Sequence, residues 1–165
     1  MSAAYSASEW TDLFVATTGA AAALAGLLFV AVSINAERIV ALPGLPERAL
    51  ESLTILLGTV VVSVLRLVPG LGRTALGTLL LIAAIVVTTA VAVLVARGLP
   101  HREAPPAWIL GQLTLSASGT VPVLVGGISL LAGTGGGLYW VLAAVVGALV
   151  GTVLNAWVLL IEILR

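Results

Sequence analysis

The stretch LFVATTGAAAALAGLLFVAVSIN, residues 13–35, carries no charged side chain from end to end. At 1.5 Å of rise per residue, a helix of that length crosses a hydrocarbon core of about 30 Å. Four further runs, at about 47–68, 74–96, 107–131 and 138–163, are long and apolar enough to do the same, and only short connections separate them. The fold these runs predict is an all-α integral membrane bundle of five transmembrane helices, one domain over residues 1–165.

The small residues GAAAALAG at 19–26 resemble the middle of a secretory signal. A signal begins with basic residues and has an apolar core of about 7–15 residues. Here Glu9 and Asp12 precede a longer run, with no Lys or Arg among them, so the run reads as a retained span.

Breakers mark the span ends. Span one should stay helical to Leu42, ahead of Pro43-Gly44. Pro46 suits a first helical position, where its missing N–H costs nothing, with Glu47 and Glu51 following in the first turns where the helix dipole favours carboxylates. Pro69-Gly70 ends span two and Gly98–Pro100 ends span three. Pro122 should kink span four midway, and GTGGG at 133–137 reads as a flexible turn into span five.

Arginines set the expected orientation, because basic residues are retained on the cytoplasmic side. With the N-terminus outside, the inner segments hold Arg38, Arg48, Arg97, Arg102 and Arg165, and the outer ones hold Arg66 and Arg73. N-out, C-in follows, in a bacterial cytoplasmic membrane. Trp10, Tyr139 and Trp140 then sit at the outer level, and Trp108 and Trp157 toward the inner one, where aromatic belts are expected.

Residues of the AVILMFWYC set make up 61% of the chain and charged residues 8%, against roughly half and a quarter in soluble domains. Seven arginines balance seven carboxylates, so no strong net field recruits nucleic acid. There is no Cys and one His, His101, which removes thiol chemistry and any multi-His metal site within one chain. An intramembrane aspartyl protease needs two Asp and only Asp12 exists; no HExxH and no Lys are present, and GTGGG lacks the Lys-Ser/Thr of a phosphate loop. No catalytic residue, metal ligand or cofactor is expected.

Two kinds of position call for an explanation. Small residues recur every four on span five, at Ala143, Gly147, Gly151 and then Asn155, and again on span one at Gly19, Ala22 or Ala23, and Gly26. Such faces let helix backbones approach closely in lipid, either within one subunit or between subunits of a homo-oligomer.

Polar residues are the second kind. Ser33, Asn35, Glu51, Gln112 and Asn155 share the inner third of the bilayer, with Glu162 two turns beyond Asn155, and each costs several kcal/mol if it faces lipid alone. They should meet, either as helix-joining bonds or as a cluster open to water or a ligand. Glu51 could instead pair with Arg48 at the interface. Span two adds a stripe of Ser52, Thr59, Ser63 and Arg66, and Arg66 is expected to pair with Asp12. Span four carries Gln112, Ser116 and Thr120 on one side and Thr114 and Ser118 on the other, which predicts a central helix with a carbonyl freed at Ser118 by Pro122.

Span one with the following LPGLPERALESLTILLGTVVVSVLRLVPG resembles a family of small, uncharacterised multi-pass membrane proteins from high-GC actinobacteria. The likeness is concentrated in spans one and two. Some members of that family are labelled modulator of FtsH protease, which implies a regulatory partner of a membrane-bound AAA protease. Established modulators of that kind resemble a seven-span fold, whereas five spans are read here. The resemblance transfers no site residue. Together these readings predict an oligomeric channel or conduit for ions or small solutes, or else a non-catalytic partner of a larger membrane complex.

Overall fold

A computed structural model of the chain describes residues 3–5, 8–99 and 106–164. His101, Arg102, Glu103 and Arg165 lie outside the described residues, as do the side chains of Trp108 and Glu162. After two short 3-10 turns come α1 (Thr11–Ile34), α2 (Ala36–Ala41), α3 (Leu45–Leu67), α4 (Arg73–Gly98), α5 (Pro106–Ala132) and α6 (Leu138–Leu164). No strand occurs among the described residues, and five of these helices are long and apolar enough to cross a membrane.

The ends follow the breakers, with two differences. Span one does not continue unbroken to Leu42: the helix is interrupted at Asn35, whose side-chain Nδ2 donates to Ala31 O at 2.8 Å. An amide that bonds its own backbone competes with the helical ladder, and α2 restarts beyond it. Gly44 then turns into α3 at φ 81°, a left-handed conformation that side chains with a Cβ resist. The helix starts at Leu45, so Pro46 stands second rather than first, still among the N–H groups that lack a helical acceptor.

Helices α3, α4, α5 and α6 form a ring in that order, closed by α6 returning to α3, and α1 leans on α3 from outside. The hub is therefore α3, and the doubly polar α5 is not central. Its Thr114 is exposed and donates to Leu110 O at 2.8 Å, a bond that lets a hydroxyl face lipid without an unsatisfied donor. Pro122 lies inside an uninterrupted α5. The carbonyl of Ser118, four residues earlier, meets the backbone of Gly147: a Cβ built there would lie 2.5 Å from the oxygen. That carbonyl is covered by a helix rather than offered to an ion.

Polarity is inverted relative to a soluble bundle. Helix α3 buries Arg48, Glu51, Ser52, Thr59, Ser63 and Arg66 while exposing Leu50, Leu57, Val61 and Val64. On α1, Leu27, Phe29 and Ile34 are each more than 60% exposed. A chain with charges inside and Leu and Phe outside is soluble in lipid rather than in water. The protein is thus a multi-pass membrane protein.

At the end of the bundle that holds the α5–α6 turn, Trp10, Phe14, Leu76, Leu80, Leu130, Leu138 and Val141 form the main apolar core. Trp10 is buried edge-on to Tyr139 with ring centroids 4.9 Å apart, so it is part of this core. The GTGGG segment is an ordered cap instead of a flexible turn. Gly133, Gly135, Gly136 and Gly137 all take positive φ, Ser129 Oγ accepts from Gly137 N at 2.8 Å, and Trp140 Nε1 donates to Gly135 O at 2.7 Å. The opposite end of the bundle carries α2 and the site described next.

Candidate functional site

The site begins with the register of α3. Arg48, Glu51, Ser52 and Ile55 fall at i, i+3, i+4 and i+7, one helical face, and this face looks across at α5 and α6. Gln112 and Ser116, one turn apart on α5, meet it from one side. Asn155 on α6 meets it from the other.

Two bonded groups result. Gln112 Nε2 donates to Glu51 Oε2 at 2.8 Å, and Ser116 Oγ hydrogen-bonds Glu51 Oε1 while also lying 2.9 Å from Gln112 O. Each carboxylate oxygen therefore has a partner, and Glu51 is 3% exposed. In the second group Arg48 Nε donates to Asn155 Oδ1, and Asn155 Nδ2 donates to Ser52 Oγ, both at 2.5 Å. Asn155 thus uses its acceptor and its donor at once, which fixes the orientation of the amide.

Both groups line a cavity of about 290 Å³, walled by α3, α5 and α6. This is close to the lower edge of the 300–1,000 Å³ or so that small-molecule pockets occupy. It reaches the bundle surface between α5 and α6, where Ala107, Gly111 and Leu154 are exposed. A Cβ added to Gly111 would meet nothing within 4 Å, so the mouth is open on that side. Its surface is mostly apolar, from Ile55, Leu115, Ala148, Leu154 and Val158, with Arg48, Glu51, Gln112 and Asn155 as polar points on it, an arrangement suited to a small solute that also hydrogen-bonds.

Of the expected cluster, the structure brings together Glu51, Gln112 and Asn155, and adds Ser52 and Ser116. It leaves out Ser33 and Asn35, which lie on the lipid side of α1 and bond their own helix, Ser33 Oγ to Phe29 O at 2.8 Å and Asn35 to Ala31. The cluster gains Arg48, which the charge count assigned to the interface although it shares the Glu51 face of α3; Arg48 is 8% exposed. Thr152 also lines the cavity, and nothing singled it out in the sequence.

The remaining α3 stripe points into the same bundle. Thr59 and Ser63 are buried, and Ser63 Oγ has no hydrogen-bond partner. Both therefore face neighbouring helices of the same chain. Arg66 does not pair with Asp12: Asp12 is exposed, and the Arg66 guanidinium lies 5.8 Å from the centre of the Phe14 ring. Burial favours the aromatic face over a solvated carboxylate, because α1 meets α3 through Phe14.

The small-residue faces divide. Gly147 and Gly151 pack on Ser118 and Leu115 of α5, and Gly119 packs in turn on Ala148, so the α6 face joins helices within one chain. Ala143 of that series is exposed. On α1, Gly19, Ala22, Ala23 and Gly26 are exposed, with nothing within 4 Å of a Cβ at either glycine; the buried face is Phe14, Thr17, Ala21, Ala25 and Leu28.

No family model, curated protein or solved structure matches the chain. The site stands on its geometry.

Proposed function

We propose that this protein is a small membrane conduit for ions or small polar solutes, with its route inside one subunit and Glu51 as the group that meets the passing species. The observation that carries this reading is a buried carboxylate, fully bonded by Gln112 and Ser116, on the wall of a cavity with a mouth between α5 and α6. An ionisable group kept inside the membrane marks a working site by default, because structure alone is served more cheaply by apolar packing. With the N-terminus outside, the cavity lies toward the cytoplasm of a bacterial inner membrane. A reporter fused at either terminus tests that orientation.

Flux into proteoliposomes tests the function, with potassium and urea as probes. Wild-type vesicles should pass at least one probe faster than empty vesicles, and Glu51→Gln should slow it by about tenfold, the rate equivalent of one lost interaction of about 1.4 kcal/mol. Rates equal to those of empty vesicles for wild type and variant alike would refute the conduit.

A second reading is favoured by a different observation. The exposed Gly19, Ala22, Ala23 and Gly26 face of α1 suits a closely packed helix, from a second copy or from a larger membrane complex. The protein then acts as a non-catalytic partner, the role that the label on its look-alikes implies. Co-purification from native membranes with and without Gly26→Leu separates the two.

A further inference from the structure

Midway along the bundle, α3, α4, α5 and α6 line a second, smaller chamber of about 20 Å³, with Thr59, Thr88 and Thr120 among its lining residues. A single water needs roughly 10–15 Å³ of this kind of space and two to four polar partners. The chamber meets both conditions, and the hydrogen-bond inventory of its three hydroxyls decides how they would be used.

Thr59 Oγ1 donates to Ile55 O at 2.9 Å and Thr120 Oγ1 donates to Ser116 O at 3.0 Å. Both have spent their one hydrogen on their own helix, and each oxygen keeps lone pairs for an incoming donor. Thr88 differs. Its Oγ1 is buried and has no hydrogen-bond partner within the chain. The walls between these groups are Gly58, Val62, Ala84, Val87, Gly119 and their neighbours, which offer no polar side chain of their own.

We propose that Thr59, Thr88 and Thr120 form a binding site for one water molecule. The water donates its two hydrogens to Thr59 Oγ1 and Thr120 Oγ1 and accepts from Thr88 Oγ1–H, which satisfies all four oxygens at once. Three bonds is the usual number for a buried water. A buried hydroxyl left without a partner forfeits the hydrogen bond it would make in water, so the site has a reason to fill.

The water also ties α4 into the polar interior. Helix α4 packs on its neighbours through glycines and apolar side chains, Gly77 against Leu130 and Leu131, Gly127 against Leu81, and Gly58 against Val87. Thr88 adds a polar bridge to α3 and α5 at the same level. The site lies one turn of α5 from Ser116, so it extends hydration beyond the Glu51 cavity. It does not depend on the conduit reading and would stand if no solute crossed.

The test is a density map of the purified full chain, at a resolution that shows ordered waters, for wild type, Thr88→Ser and Thr88→Val. The expected result is one peak within hydrogen-bonding distance of the three hydroxyl oxygens in wild type and Thr88→Ser, and its loss in Thr88→Val, which keeps the shape and removes the donor. A wild-type map with ordered waters elsewhere and none in this chamber overturns the site. A peak that persists in Thr88→Val overturns the role of Thr88.

Discussion

Gln112 and Glu51, 61 positions apart, meet through an Nε2–Oε2 hydrogen bond of 2.8 Å that crosses from α5 to α3. Helices α3 and α5 sit on opposite corners of the four-helix ring and touch little elsewhere. A polar bond across this diagonal keeps the cavity's two walls at a set distance, which apolar side chains of adjustable packing would not do.

Replacing Glu51 with Ala should therefore do more than remove a charge. Gln112 Nε2 would lose the acceptor it has in Glu51, a loss of about 1–3 kcal/mol, while Ser116 Oγ keeps Gln112 O at 2.9 Å. Unfolding in detergent by a denaturant series should show this loss, with Glu51→Gln, which retains an acceptor oxygen, falling between Ala and wild type.

Asn155→Leu should weaken the contact between α6 and α3, since one amide serves Arg48 and Ser52 together. Interhelical bonds in membranes are worth about 0.6–2 kcal/mol, so the expected loss is of that order. Stability matching wild type would show that Arg48 and Ser52 find equal partners without it.

Gly147→Ala and Gly26→Ala form a matched pair. A Cβ at Gly147 falls 2.5 Å from Ser118 O and 2.7 Å from Ser118 C, both backbone atoms that cannot swing aside, whereas one at Gly26 meets nothing. The first should destabilise by about 1–3 kcal/mol, the cost of overpacking. The second should leave the monomer's stability unchanged. Any effect of a larger residue at Gly26 on mass in native membranes would then report on a partner rather than on the fold.

Gly111→Leu should narrow the cavity mouth while sparing the packing, because the space beyond Gly111 is open. Probe flux should drop with no loss of melting temperature. Unchanged flux would place the entrance elsewhere on the bundle.

The five spans were legible from the chain because hydropathy and breakers are local: a helix of apolar residues ends where Pro and Gly prevent another turn. Glu51, Gln112 and Asn155 were legible as a group for a similar reason, since burial in lipid forces polar groups to find each other. Ser33 and Asn35 misled the same argument. A side chain that reaches its own i−4 carbonyl satisfies itself locally, and from sequence such a residue looks identical to one that crosses between helices. Arg48 was misplaced because its distance from the span end resembled that of a surface residue, although helical spacing already put it on the Glu51 face.

Sequence alone determined that the chain forms apolar helices of membrane length, roughly where the breakers separate them, and that their few polar groups need partners, because these follow from residue-by-residue transfer costs and backbone chemistry. Only the tertiary structure decided that α3 is the hub, that Gly147 faces Ser118 while Gly19 and Gly26 face outward, and that the polar groups of α3, α5 and α6 line one cavity. Small-residue stripes and polar faces are alike on every helix that carries them. Which face meets which depends on the order of helices around the ring, and that order is set by the sum of all interhelical contacts rather than by any one segment.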